Sequence, residues 1–273
     1  MFRVSKWTAV CRVVGSAAAP VLAGLFLLAP ASVSAGDVRV LTAGAFKSMV
    51  QALAPEFERQ SGNRLIIAND TVGGIVKRVN VAAGATPEAF DVLIVSPAGM
   101  RELVKSGRVL ESSVVNLAKT GVGVAVKAGS PMPDISTVAA LQKALLEARA
   151  VAYIDPAAGG TSGIYFAGLL DRWGIADRVK SRAVLVPGGL VAERLVTGQA
   201  DLAIHQISEI LAVPGATLVG PLPAEVQSFT VYAAGRPVAP KDAQTDAAAA
   251  ALVAMFTSDA GRALLKQKGM DTP

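Results

Sequence analysis

The chain has 273 residues, 52% of them hydrophobic and 17% charged, with 26 Lys and Arg against 21 Asp and Glu for a formal charge of +5. Such an apolar, sparsely charged chain is not a disordered one, and a single cysteine and a single histidine exclude a disulfide scaffold and a conventional zinc site. Three of the basic residues, Arg3, Lys6 and Arg12, precede position 36; without them the charge is +2 and no basic run remains to hold nucleic acid.

Residues 1–35 read as an export signal. Arg3, Lys6 and Arg12 make a positive start, residues 13–28 are apolar, and Val33-Ser34-Ala35 is a small-residue cleavage signature. Gly15, Pro20 and Gly24 interrupt an apolar stretch already short for a membrane span, so the alternative of an uncleaved anchor is the weaker one. Cleavage after Ala35 removes Cys11 and releases residues 36–273 into the periplasm.

Strand and helix signals then alternate. Residues 38–41 (VRVL) form a β run, followed by Phe46, Met49, Val50, Leu53 and Phe57 at helical spacing, with Pro55 expected to kink or restart that helix. Residues 64–68 (RLIIA) are a second strand, with a helix through Ile75, Val76 and Val79; residues 91–95 (DVLIV) are apolar throughout, as in a buried parallel strand. A short helix covers 99–106, and 121–126 (GVGVAV) form a long small-residue strand. A helix through Val138, Leu141, Leu145 and Leu146 leads to strand 150–154 and a helix carrying Ile164, Phe166, Leu169, Leu170 and Trp173. Strand 183–186, helix 190–197 and strand 200–204 follow, then strands 217–219 and 229–233, and a closing helical region over 247–267.

This βαβα rhythm predicts an α/β fold with mostly parallel sheets covered by helices. The strands near 121–126 and 229–233 divide the chain as crossings between two lobes would. The expected division is residues 1–35 as signal, 36–120 plus 229–273 as one lobe and 121–228 as the other.

Three strand-to-helix junctions share a chemistry: 42–45 (TAGA), 69–74 (NDTVGG) and 158–163 (AGGTSG). Small residues and hydroxyls at a helix start leave backbone N–H groups uncovered, which favours an anion by roughly 0.3–2 kcal/mol per terminus. The alternative is ordinary helix capping and tight turns. The third loop lacks both the lysine of a nucleoside-triphosphate loop and the G-x-G-x-x-G spacing of a dinucleotide fold.

The segments TAGAFKSMVQALAPEFERQSG, GIVKRVNVAAGATPEAFDVLIVSPAGM, YIDPAAGGTSGIYFAGLLDRWGI, LVTGQADLAIHQISEI and FTSDAGRALLKQKGM, in this order, resemble the periplasmic solute-binding proteins of ABC importers, most closely the molybdate-binding branch. The resemblance implies two Rossmann-like lobes joined by two crossing strands, the type II architecture, closing on one small solute. It further implies a monomer without cofactor or metal that delivers a molybdate-like oxyanion to an inner-membrane permease. Carried over by position, the ligand loops fall on Ala43-Gly44-Ala45, Thr71-Val72, Thr161-Ser162 and His205-Gln206. Gly44, Ala45 and Val72 stand where the resembled pattern has serines, and Gln206 where it has tyrosine. That donor set favours a small organic acid as the alternative to molybdate.

Lys47, one turn into the first helix, could reach a carboxylate, and His205 would make binding pH-sensitive; Arg78 has the character of an ordinary surface charge. Gln206 is a stronger ligand candidate because its amide both donates and accepts. Tyr153 and Tyr165 read as packing residues. An exported hydrolase using Ser162, His205 and Asp201 is a weaker alternative, since Ser162 sits in G-T-S-G rather than in a nucleophile elbow. A cytoplasmic ligand-sensing domain of a transcription regulator would need a DNA-binding segment where the export signal stands.

Overall fold

A computed structural model of the chain describes Met1, Phe2, Ala9 and residues 36–82 and 84–273. The expected signal segment and Cys11 lie outside the described residues. Strand β1 (Asp37–Ala43) pairs in parallel with β2 (Arg64–Asp70) and with β3 (Val92–Val95). The sheet continues antiparallel through β9 (Phe229–Gly235) to β4 (Val115–Lys127).

At 13 residues, β4 is long enough to serve two sheets. Its residues 115–121 pair with β9, and from Val122 onward it pairs with β7 (Leu202–Gln206) and β8 (Ala216–Pro221). Beyond β7 lie β5 (Val151–Ile154) and then β6 (Ala183–Val186), both parallel. Where β4 changes sheets, the Gln227 amide takes a strand's place: Val122 N–H donates to its Oε1 and its Nε2 donates to the Val122 carbonyl, each at 3.0 Å. The chain thus crosses at β4 and returns through 222–228 into β9.

One core lies in the first half, and the second half has two, on opposite faces of its sheet. In the first, α1 (Gly44–Ser61) buries Phe46, Met49, Val50, Leu53 and Phe57 on one stripe, against Leu41, Val92 to Val95, Leu252 and Phe256. Pro55 does not break α1. It lies on the exposed face, where the carbonyl its missing N–H leaves unpaired can turn to water. Helices α2 (Val72–Val79) and α3 (Pro97–Lys105) complete that half. In the second, α4 (Val138–Glu147) and α5 (Thr161–Arg172) cover β5 and β7, with Tyr153 and Phe166 edge to face at 5.0 Å. Short helices α6 (Ala176–Lys180), α7 (Glu193–Val196) and α8 (Ile207–Ile210) fill the rest.

The closing region is two helices, not one: α9 (Ala243–Thr257) and α10 (Asp259–Gln267) meet at a 62° bend. Ser258 explains the break, since its extended backbone ends α9 while its hydroxyl accepts the Gly261 N–H and caps α10. Helix α7 is also shorter than its apolar pattern, because Leu190 to Ala192 form a turn ahead of it. Phe256 stands edge to face with Phe46 at 5.2 Å and ties α9 to α1. Truncating it leaves a cavity in a fully buried site, so Phe256→Ala should lower unfolding stability by about 3–5 kcal/mol in urea titration. The exposed Ile164→Ala should change it by less than about 0.5 kcal/mol.

Candidate functional site

Parallel strands end where their helices begin, so in such a fold the strand carboxyl ends collect helix N-termini at one edge. Here β1 passes straight into α1 at Ala43-Gly44, β2 into α2 through Thr71, β5 into α5 through 155–160, and β7 into α8 at Gln206-Ile207. These junctions line one cleft. Helices α1 and α5, from opposite halves, begin at Ala43 and Gly160 with no side chain capping them, so their first N–H groups are free for a ligand. Helix α2 is capped from within, by Thr71 Oγ1 accepting the Gly74 N–H at 3.0 Å.

The cleft is closed. Thr71 Oγ1 donates across it to the Ala158 carbonyl at 2.5 Å, and the Gly73 N–H to the Gly159 carbonyl at 3.2 Å. This backbone contact requires two glycines: a Cβ at Gly73 would sit 2.9 Å from the Gly159 Cα, and Gly159 itself adopts φ +75°. The enclosed space is about 30 Å³.

No lysine or arginine is among the described residues that line the cleft. Asp70 accepts the Thr71 N–H and pairs with Arg78, which also pairs with Glu88, so its charge is matched from behind. His205 Nε2 and Glu209 Oε2 lie 3.1 Å apart, both buried. Loss of water pushes the Glu209 carboxyl up to about 8 and pulls the His205 imidazole down to about 3. Burial thus disfavours the charged form of both groups, and the arrangement it favours is a carboxylic acid donating to a neutral imidazole. In that arrangement the ring's single N–H is on Nδ1, which is buried with no partner among the described residues.

Gln206 Nε2 bonds Thr161 Oγ1 at 3.1 Å and Thr230 Oγ1 at 2.8 Å, while its Oε1 is buried and unpartnered. Both partners are hydroxyls that donate or accept, so the amide can turn over and offer its NH₂ group to the cleft instead. Tyr232 also lines the cleft, its hydroxyl held protonated by burial.

Of the residues singled out from sequence, Ala43, Gly44, Ala45, Thr71, Val72, Thr161, Ser162, Gln206 and His205 all line this cleft. Lys47 does not; it lines an adjoining cavity. Gly44 has a structural reason for lacking a side chain, because a Cβ there would fall 2.5 Å from Glu209 Oε1. Arg78 is no ordinary surface charge, given its two carboxylate partners. Tyr165 donates its hydroxyl to the Val226 carbonyl at 2.8 Å, in keeping with packing. The nominated hydrolase set is not assembled: Asp201 pairs with Arg149 at the surface, and the ring nitrogen of His205 is engaged by Glu209.

Glu209 and Tyr232 were missed in the sequence. The signal for Glu209 was an acidic residue four positions after the histidine, in an otherwise apolar run; Tyr232, on a strand of small residues, had none.

The model of the family described as bacterial extracellular solute-binding protein matches residues 38–271. An aconitate isomerase from Pseudomonas sp is 32% identical over 256 residues, which cover 90% of this chain and 94% of that protein. Among solved structures, the periplasmic molybdate-binding protein of Azotobacter vinelandii superposes with a TM-score of 0.70 at 21% identity, covering 86% of this chain and 99% of that one. The sulfate-binding protein of Mycobacterium tuberculosis does so at 0.65 and 16%, covering 87% of each. These likenesses establish the type II periplasmic-binding fold. With nearly all of the described segment matched, the chain belongs to the bacterial extracellular solute-binding protein family.

Proposed function

We propose that this protein takes a small unsaturated polycarboxylic acid into the cleft and moves a proton within it, as an isomerase outside the cytoplasm. The observation that carries this reading is the buried His205–Glu209 pair, set among uncapped helix N-termini, with no lysine or arginine among the described residues that line the cleft. An oxyanion trap gains nothing from a carboxyl group facing its dianion. An isomerase needs a group that both accepts and returns a proton.

The chemistry balances on the pair alone. Oε1 of Glu209, beside Gly44, accepts a proton from a methylene flanked by a carboxylate and a double bond, while Oε2 passes its own proton to His205 Nε2. The electron pair of the broken C–H bond forms the new double bond. The former double bond closes onto a proton returned by Glu209 at the far carbon, and His205 gives its proton back. One C–H bond breaks and one forms, with no redox partner. In a propene tricarboxylate the two arms exchange roles, which interconverts cis and trans forms. The free N–H groups of α1 and α5 and the His205 Nδ1–H would hold the carboxylates as charge develops. The relationship to an aconitate isomerase supports this substrate class.

A second reading is capture of the same acid for an ABC permease, favoured by the contacts of Thr71 and Gly73 across the closed cleft, which suit a hinged trap. Incubation with trans-propene-1,2,3-tricarboxylate in D₂O, followed by proton NMR, separates the two. Isomerase action should produce the cis form, with deuterium in the methylene to the extent that the proton on Glu209 exchanges with solvent before its return, and His205→Gln or Glu209→Gln should each slow it about 10²–10⁴-fold with binding retained. Binding without interconversion selects the capture reading. Molybdate or tungstate stabilising the protein while organic acids do not would overturn both.

The pair also sets a pH signature. Its histidine, lowered from 6.5 to about 3, adds stability as pH rises from about 3 to 6.5; its carboxyl, raised from 4.5 to about 8, removes stability as pH rises from about 4.5 to 8. The two cancel between about 4.5 and 6.5, leaving a decline from 6.5 to 8. Thermal unfolding of Glu209→Gln should lack that decline.

A further inference from the structure

Beside the cleft lies a second cavity of about 130 Å³, and the two share Gly44, Asn69, Gly189 and Glu209 as a common wall. It lies between α1 and α8 and is lined by the polar side chains of Lys47, Ser48, Gln51 and Ser208. Ser208 is 2% exposed, yet its hydroxyl has no partner among the described residues, and neither does the buried hydroxyl of Ser48. Buried hydroxyls are nearly always bonded, and both of these belong to residues lining the cavity, so a turn about χ1 toward it would let each meet an acceptor placed there. Lys47 stands there without an ion-pair partner among the described residues, in a chain whose main cleft contains no lysine or arginine.

Size makes the same point. The closed cleft has about 30 Å³, which is room for roughly two waters. A six-carbon tricarboxylate does not fit wholly within it and must extend beyond it, and the adjoining cavity is about four times larger. The only carboxyl group in the common wall is that of Glu209, with Gly44 leaving space beside it.

We infer that this adjoining cavity is a carboxylate subsite: Lys47, Ser48 and Ser208 receive the distal carboxylate of an extended polycarboxylic acid whose proximal carboxylate rests on the N-termini of α1 and α5. The inference rests on the proposed function and adds what selects among acids. A ligand spanning both chambers passes Glu209 at its middle, so the reacting carbons meet the carboxyl only when the distal arm is seated. Monocarboxylates and tetrahedral oxyanions leave the subsite empty.

The test is NMR titration of the purified protein with trans-propene-1,2,3-tricarboxylate and with crotonate, which has a single carboxylate. Lys47→Met should weaken the tricarboxylate about ten-fold or more and leave crotonate within two-fold, with Lys47→Arg restoring part of the difference. Ser208→Ala should shift the same ratio in the same direction. Unfolding temperatures within a degree or two of the parent establish that the variants fold, Lys47 being only partly buried on a helix face. Tricarboxylate affinity unchanged in Lys47→Met, or equal loss for both acids, overturns the subsite and leaves the functional reading standing. Failure of the parent protein to bind either acid overturns the functional reading and the subsite with it.

Discussion

Glu209 and His205 meet where the two halves of the protein exclude water, and a lone carboxylate or imidazolium there would carry a desolvation cost of several kcal/mol. No lysine or arginine in the cleft offsets that cost, so the pair settles it internally by keeping one proton between Oε2 and Nε2. Much of the local sequence is arranged around this. Gly44 supplies the space for the Glu209 carboxyl, Arg78 pairs with Asp70 on the side away from it, and burial keeps the Tyr232 hydroxyl protonated. The cleft is thus a small chamber whose polarity comes from backbone dipoles, hydroxyls and the buried His205–Glu209 pair.

Closure of the chamber rests on small groups. The Gly73–Gly159 backbone contact leaves no room for any side chain, and the Thr71 hydroxyl both caps α2 and reaches the Ala158 carbonyl. One residue therefore joins a helix start to the opposite half. The long strand β4 and the Gln227 amide that braces Val122 form the other fixed point, where the chain passes between sheets.

The order of strands and helices was legible because parallel α/β units write themselves as alternating apolar runs with two different periods. The stripe of Phe46, Met49, Val50, Leu53 and Phe57 is one example. The helix-start loops were legible from glycine and hydroxyl content alone. What escaped was mostly tertiary. Pro55 looks like a break until its position on the solvent side of α1 is known, and the bend at Ser258 is a capping choice inside a continuous apolar pattern. Glu209 looked like one more charge after an apolar run, because its meaning depends on burial and on Gly44, 165 positions away in sequence. The glycine read as a missing donor was space for a carboxyl.

His205 is the only histidine in the chain, so its imidazole nitrogens give a single unambiguous signal in ¹⁵N NMR. A pH titration of that signal in the native protein tests the neutral pair directly. The account predicts a neutral ring at pH 7, protonated on Nδ1 with Nε2 accepting a hydrogen bond, and no protonation until well below pH 5. A doubly protonated imidazolium at pH 7, facing an ionised Glu209, would contradict it.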